Sequence, residues 1–352
     1  MIKKQGKQSE VYRSVKILTI SIAAYNVEKF LDKTLSSLCH EKFSDDLEVL
    51  IIDDGSRDRT GDIAKRYERK HPRIFKYVYK ENGGHGSTIN KGIELATGKY
   101  FRVIDGDDYV STEALLYFIE RLKTIDEDLV ISDYRCVNEN GNVYVNPNFK
   151  IRGANVFSNL TDNCVYDVDD NLQTYLFFAL ATITIKVELL RKLGAHITEN
   201  CLYVDTEYDI YAILAAQKFR YFQAPIYMYF IGRSDNSVSK KNMIKNIAMQ
   251  EKVLFRLMEI YSDTRYAVNV QKKSKLLIGR ISAVLCAIIR TYMLMDNTLK
   301  LIKLLDKKIN DSFPMFNSLL GTNRLINAVR FGGYCLVPFI KIAYIVWLKL
   351  RR

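Results

Sequence analysis

Tyr100-Phe-Arg-Val-Ile-Asp-Gly-Asp-Asp-Tyr109 is the stretch whose reading decides the fold. Tyr100 to Ile104 has the length and character of a buried strand, and it runs directly into Asp105, Asp107 and Asp108. Carboxylates crowded at the end of a strand repel one another and call for a compensating cation. Hard oxygen ligands at this spacing suit Mg²⁺ or Mn²⁺, which would in turn hold a phosphate-bearing substrate. The same letters suit a solvated turn, because Asp and Gly are common turn residues. The flanking sequence has to separate the two readings.

On the N-terminal side, Val15 to Ala23 and Leu47 to Ile52 are further apolar runs of strand length, and Ile74 to Tyr79 is a third. The first leads to Tyr25-Asn26 and a segment with apolar residues at Val27, Phe30, Leu31, Leu35 and Leu38, which is helical spacing. The second ends in Asp53-Asp54-Gly55-Ser56 and precedes a helix predicted over Arg59 to Lys70. Asn82-Gly-Gly-His-Gly-Ser-Thr88 reads as a loop opening onto a helix from Ile89 to Ala96. On the C-terminal side a helix is predicted from Thr112 to Lys123, then a strand over Leu129 to Ser132. Asn140-Gly141 suggests a hairpin. Ala181 to Ile185 and Tyr221 to Ile231 read as strands, with a helix between them reaching Gln217, and from Met243 onward the pattern is helical.

Strands alternating with helices predict an α/β fold: a mostly parallel, Rossmann-like sheet with helices on both faces, followed by a helical C-terminal region. In such sheets ligands bind outside the carboxyl ends of the strands. Tyr25-Asn26, Asp53-Asp54 and Asp105 to Asp108 all stand at strand ends and are expected to converge on one crevice. A nucleotide-binding dehydrogenase would give a similar alternation, but its first strand should run into G-x-G-x-x-G. Here it runs into Ala23-Ala24-Tyr25-Asn26.

Hydrophobic residues make up 48% of the chain, which places it among folded globular proteins. Six scattered cysteines have no metal-ligand spacing and fit a reducing compartment. Residues 1–14 form a polar basic tail with no apolar stretch of the kind a signal peptide needs. The net charge of +12 is unevenly placed. Residues 240–352 hold 21 Lys and Arg against 6 Asp and Glu, whereas the remainder holds 31 against 34. The basic excess therefore belongs to the C-terminal third, and nucleic acid or an anionic membrane surface would answer it.

Taken together and in order, these motifs resemble family-2 glycosyltransferases of the GT-A fold, of the bacterial type that builds surface polysaccharides or lipid-linked glycans. The resemblance covers Val15 to Ser239. It rests on Tyr25-Asn26, Asp53-Asp54-Gly55-Ser56, the loop ending Asn90-Lys-Gly-Ile-Glu-Leu-Ala-Thr-Gly98, Asp105-Gly-Asp-Asp108, and Tyr-Val-Asp205. It implies a catalytic domain over 15–239, dependent on a nucleotide-sugar donor, and a basic helical region over 240–352.

Carried over to this chain, the resemblance assigns Tyr25 to stacking on the nucleotide base and Asp54 or Asp53 to hydrogen bonding it. Asp107 would bind the divalent ion, with Asp105 contacting the ribose or assisting the metal. Ala23, Gly84, His85 and Asn90 would line the nucleotide-sugar site, with Arg233 near the diphosphate. Ile89 stands where many relatives carry an Arg, which weakens any Arg contact there. Asp205 would be the base that deprotonates an acceptor hydroxyl, giving inversion at the anomeric carbon, and Glu207 is the spare carboxylate.

The cofactor implied is Mn²⁺ or Mg²⁺, and the partners are a nucleotide-diphosphate sugar and a glycan or lipid-linked acceptor. Phe331 to Leu350 is strongly apolar but holds Pro338 and Lys341. That favours lying in a membrane interface over spanning it, and places the protein in the cytoplasm at the inner face of the cell membrane. Packing on the protein itself is the competing expectation. Transfer to a polyprenyl phosphate is the near alternative, since a phosphate acceptor needs no general base. A non-catalytic nucleotide-sugar-binding protein and a nucleic-acid-binding protein are the readings from other classes. A processive synthase is disfavoured, because Q-x-x-R-W and several clear spanning helices are lacking.

Overall fold

The computed structural model describes residues 16–144, 150–151, 154–169, 171–172, 178–231 and 239–350. Arg233 and the N-terminal tail lie outside the described residues. The strands are β1 (Leu18–Ala24), β2 (Leu47–Asp53), β3 (Phe75–Tyr79), β4 (Tyr100–Asp105), β5 (Tyr109–Val110), β6 (Leu129–Val137), β7 (Val143–Tyr144), β8 (Lys150–Ile151), β9 (Ala154–Asn155), β10 (Val165–Asp167), β11 (Ile183–Lys186) and β12 (Lys218–Phe230). The helices between them are α1 (Leu31–Ser37), α2 (Thr60–Lys70), α3 (His85–Leu95), α4 (Thr112–Leu122), α5 (Val187–Leu193) and α6 (Asp205–Ala215). Beyond the sheet follow α7 (Lys240–Lys245), α8 (Ile247–Ser262), α9 (Ala267–Lys272), α10 (Ser274–Tyr292), α11 (Thr298–Ser312), α12 (Phe316–Leu319), α13 (Arg324–Tyr334) and α14 (Val337–Leu350).

The main sheet runs β10-β12-β6-β11-β4-β1-β2-β3. β3, β2, β1 and β4 are all parallel, which is the half the alternating pattern predicts. β11 then enters antiparallel between β4 and β6, and β12 lies parallel to β6. The sheet is therefore mixed, with the acidic end of β4 near its middle. Every residue of β2 is buried, as expected for a strand covered on both faces. Helix α3 lies so close to β1 that a Cβ on Gly92 would stand 2.3 Å from Ser21 Oγ, and only glycine permits that approach.

The Asn140-Gly141 hairpin is present: β7 returns antiparallel to β6, with Gly141 at φ +77°. The Gly-rich segment differs from expectation, because α3 begins at His85 rather than Ile89 and takes Gly84 as its N-cap. Phe331 to Leu350 is also not one segment. Gly332 and Gly333 at positive φ break it, and Pro338 falls in the first turn of α14, where its missing N–H costs nothing.

The C-terminal helices are joined to the sheet chiefly through α6. Lys273 Nζ, buried, donates to the carbonyls of Ile213 at 2.8 Å and Leu214 at 3.0 Å, and so ties off the C-terminal end of α6. On the same helix, buried Asp209 pairs with Arg280 of α10. The basic third thus braces the helix that opens with Asp205.

Candidate active site

β4 delivers Asp105 to the carboxyl edge of the sheet, and a tight turn follows, with Asp108 N donating to Asp105 O at 3.0 Å. Gly106 N donates to Ala23 O at 2.9 Å, so the turn is laced to the end of β1. Thr34 of α1 supports it from below, its hydroxyl donating to Gly106 O at 3.0 Å and to Asp108 O. Carboxylate oxygens of Asp105, Asp107 and Asp108 all lie within 4.8 Å of one another. Asp105 and Asp107 are half-buried, whereas Asp108 is fully buried.

The Asp108 oxygens are committed to protein. One accepts from Tyr227 Oη at 2.6 Å and the other from Phe230 N at 2.7 Å. Burial, reinforced by the charges of Asp105 and Asp107, pushes its carboxyl well above the usual range. Tyr227 Oη also lies 3.3 Å from Asp105 Oδ2 and accepts from Asp105 N at 3.3 Å. Tyr227 reaches this place because β12 slips register between Phe222 and Tyr227, around Pro225. Asp108 thus lies buried behind the half-buried Asp105 and Asp107. Hard carboxylate oxygens this close together fit a Mg²⁺ or Mn²⁺ ion.

His85, the first residue of α3, sets Nδ1 3.7 Å from Asp105 Oδ1. The same turn of α3 meets the loop before Asp205. A Cβ on Gly86 would lie 2.2 Å from Thr198 O, and one on Gly84 would lie 3.3 Å from Asn200 N. Asn90 fixes this loop with both ends of its amide, accepting from Ile197 N at 2.8 Å and donating to Ile197 O at 2.8 Å. Asn90, expected to line the nucleotide-sugar site, thus braces this loop. Asp205 stands exposed as the first residue of α6. Glu207 is fully buried, with Oε2 accepting from Thr198 N at 2.8 Å, and burial raises its pKa. Glu207 is a structural carboxylate.

Tyr25 is 49% exposed at the end of β1, and Asn26 beyond it has φ +50°. The Asp53–Asp54 pair departs from the sequence reading, since both carboxylates point inward. Asp54 accepts from Gly83 N at 2.9 Å, Gly84 N at 2.8 Å and Lys80 Nζ at 2.6 Å. Asp53 accepts from Ser56 N and Tyr77 Oη, each at 2.9 Å. Their evident work is to shape the turn after β2 and the glycine loop before α3.

Three further residues at the site, Lys29, Lys33 and Tyr227, lie outside the sequence motifs. Lys29 and Lys33 line a cavity of about 80 Å³ together with Asp107, Tyr109 and Phe230. Lys33 Nζ sits 3.7 Å above the Tyr109 ring. Their four-residue spacing beside Tyr25-Asn26 could have suggested a basic face. Tyr227, by contrast, lies 122 residues from Asp105 and carried no clue.

The sequence model of Glycosyl transferase family 2 matches residues 19–177, from β1 through the acidic turn. Those residues carry a family-2 glycosyltransferase domain. The match ends before Asp205 and Tyr227 and covers neither. The chain is 26% identical over 216 residues to the uncharacterized glycosyltransferase EpsJ of Bacillus subtilis (strain 168), covering 61% of each protein. It is 32% identical over 145 residues to the chondroitin synthase of Escherichia coli, covering 41% of this chain and 21% of that protein. The matched stretches thus span less than two thirds of either relative. Among solved structures, S. aureus TarS 1-349, crystallised with UDP-GlcNAc, superposes with a TM-score of 0.57 at 18% identity. That superposition covers 88% of this chain and 92% of TarS 1-349, and it shows a shared GT-A fold with its helical C-terminal region.

Proposed function

We propose that this chain is an inverting, metal-dependent glycosyltransferase that moves a sugar from a nucleotide-diphosphate donor to a hydroxyl of a glycan or lipid-linked acceptor in surface-polysaccharide synthesis. The observation that carries it is the gathering of Asp105, Asp107 and His85 beside the loop that leads into Asp205. The family-2 match over residues 19–177 and the similarity to proteins named chondroitin synthase and poly(ribitol-phosphate) beta-glucosyltransferase support it. Asp107 and Asp105 would hold the divalent ion, whose chemistry is to neutralise charge developing on the diphosphate leaving group.

Tyr25 lays its exposed ring against the nucleotide base. Asp53 and Asp54 keep the flanking loops in shape around it. His85 and the first turn of α3 stand beside Asp105, where the donor's phosphates or sugar would lie. Asp205 accepts the proton from the acceptor hydroxyl as that oxygen attacks the anomeric carbon from the face opposite the diphosphate. We place the protein in the cytoplasm at the inner face of the cell membrane, where a lipid-linked acceptor would be reached.

The test is binding and slow hydrolysis across a panel of nucleotide sugars with Mn²⁺, Mg²⁺ or EDTA, for wild type and Asp107→Ala. One donor bound and hydrolysed with metal, and lost in the variant, is the expected result. No donor bound under any metal condition overturns the reading. Full transfer to polyprenyl phosphate by Asp205→Asn would replace the hydroxyl acceptor with a phosphate.

A further inference from the structure

Helix α14 is built inside out for a surface helix. The side it turns to the protein carries Val337, Ile340 and Tyr344, which pack against the core. It also carries Lys341, whose Nζ donates to Met295 O at 2.8 Å and Thr298 Oγ1 at 2.9 Å. The side turned to solvent carries Phe339 (69% exposed), Ile342 (62%), Val346, Trp347 and Leu350. At 3.6 residues per turn these five form one continuous stripe. Lys341 had argued from sequence against a clean apolar segment, yet it is withdrawn from this face.

The surroundings of the stripe are basic. α11 packs against α14, and a groove of about 370 Å³ between them is lined by Leu299, Lys300, Val337, Pro338 and Lys341. α11 exposes Lys300, Lys303 and Lys307 together with Leu299 and Leu304. Lys349 ends α14, and Arg351 and Arg352 follow it in sequence. Fourteen residues of helix measure about 21 Å, short of the roughly 30 Å hydrocarbon core of a bilayer. Among the described residues no helix is long and apolar enough to cross a membrane.

We infer that the outer face of α14, flanked by the α11 lysines, is a docking surface for an anionic phospholipid bilayer, on which α14 lies in the interface with its apolar stripe inserted. An apolar stripe with lysines beside it matches acyl chains beneath acidic headgroups in both polarity and charge. A neutral protein partner would leave the lysines unanswered, and nucleic acid would leave the stripe unanswered. The inference gives the proposed membrane location a named surface, and it does not depend on the donor chemistry.

Trp347 is the only tryptophan in the chain, so its fluorescence reports on this helix alone. The full chain is mixed with vesicles of phosphatidylcholine alone, or of equal parts phosphatidylcholine and phosphatidylglycerol, and both sedimentation and Trp347 emission are followed. Binding to the anionic vesicles only, weakened by salt, with a blue shift of Trp347 and quenching by brominated acyl chains, is expected. One lysine near such a surface is worth about fivefold in partitioning, so Lys300→Glu with Lys307→Glu should weaken binding by at least about 25-fold. Val346→Glu, at an exposed position that leaves folding intact, should abolish the blue shift. Absence of vesicle binding, or binding with Trp347 emission unchanged, overturns the inference. So does a blue shift that grows with protein concentration without lipid, which would make a second copy the occupant.

Discussion

Tyr227→Phe removes a single oxygen from behind the acidic turn, and its consequences can be worked out from the structure. In the wild type that oxygen donates to Asp108 Oδ2 at 2.6 Å, accepts from Asp105 N at 3.3 Å and lies 3.3 Å from Asp105 Oδ2. The phenylalanine ring fits the same space, so no cavity larger than the lost atom opens. The buried Asp108 carboxyl loses one of its two hydrogen bonds, and leaving a buried polar group short of a partner costs about 1–3 kcal/mol. The second effect falls on the cation site. Removing a group that orients metal-binding carboxylates typically weakens metal affinity about 10- to 100-fold.

Chemical denaturation measures the first effect, and titration with Mn²⁺ followed by electron paramagnetic resonance, without donor, measures the second. The prediction is a lower unfolding midpoint together with a Mn²⁺ dissociation constant raised by at least about tenfold. Unchanged stability would refute the hydrogen-bond argument. Lower stability with unchanged Mn²⁺ affinity would leave Tyr227 a packing residue and refute its positioning role.

Asp205→Asn is predicted to lower kcat by about 10²- to 10⁴-fold, the usual contribution of a general base, while donor binding measured by calorimetry stays the same. Glu207→Gln should keep most activity in the same assay, because that side chain is buried on Thr198 N. Glu207 also predicts a pH effect. Its folded pKa is raised by burial, so its contribution to stability is complete below the unfolded value near 4.5 and is lost as pH rises through the folded value. Denaturation midpoints from pH 4.5 upward should therefore decline less in Glu207→Gln than in wild type. Gly86→Ala would press a methyl group onto the backbone oxygen of Thr198 and should cost about 1–3 kcal/mol, or push the loop before Asp205 outward with a matching loss of activity. Arg280→Met strands the buried Asp209 carboxylate and should destabilise by about 3–5 kcal/mol, with much of the loss restored by adding Asp209→Asn.

Much of the sheet was legible because it is written locally. Runs such as Leu47 to Ile52 and Tyr100 to Ile104 are apolar throughout since both faces are covered, and the acids that end them mark the edge where ligands bind. Asp105 and Asp107 were found for the same reason: two residues apart in one turn, they meet whatever the rest of the chain does. Asp205 is proposed only through resemblance, because an aspartate at a helix start looks like any other first-turn acid.

What sequence could not convey was which way a side chain faces once distant segments meet. Asp53 and Asp54 stand at the predicted strand end, yet Tyr77, Lys80 and the Gly83-Gly84 backbone claim their carboxylates. Asn90 spends its amide on Ile197, 107 residues away. Lys341 looks like a charge in an apolar helix until the turn after α10 and the start of α11 supply Met295 O and Thr298 Oγ1 to receive it. Apolar periodicity and turn chemistry are properties of neighbouring residues, and by themselves they determined the long strands of the sheet, most of the helices and the acidic turn. The partners of each polar group are set by long-range pairing and close packing, so only the tertiary structure decided which carboxylates hold the fold together.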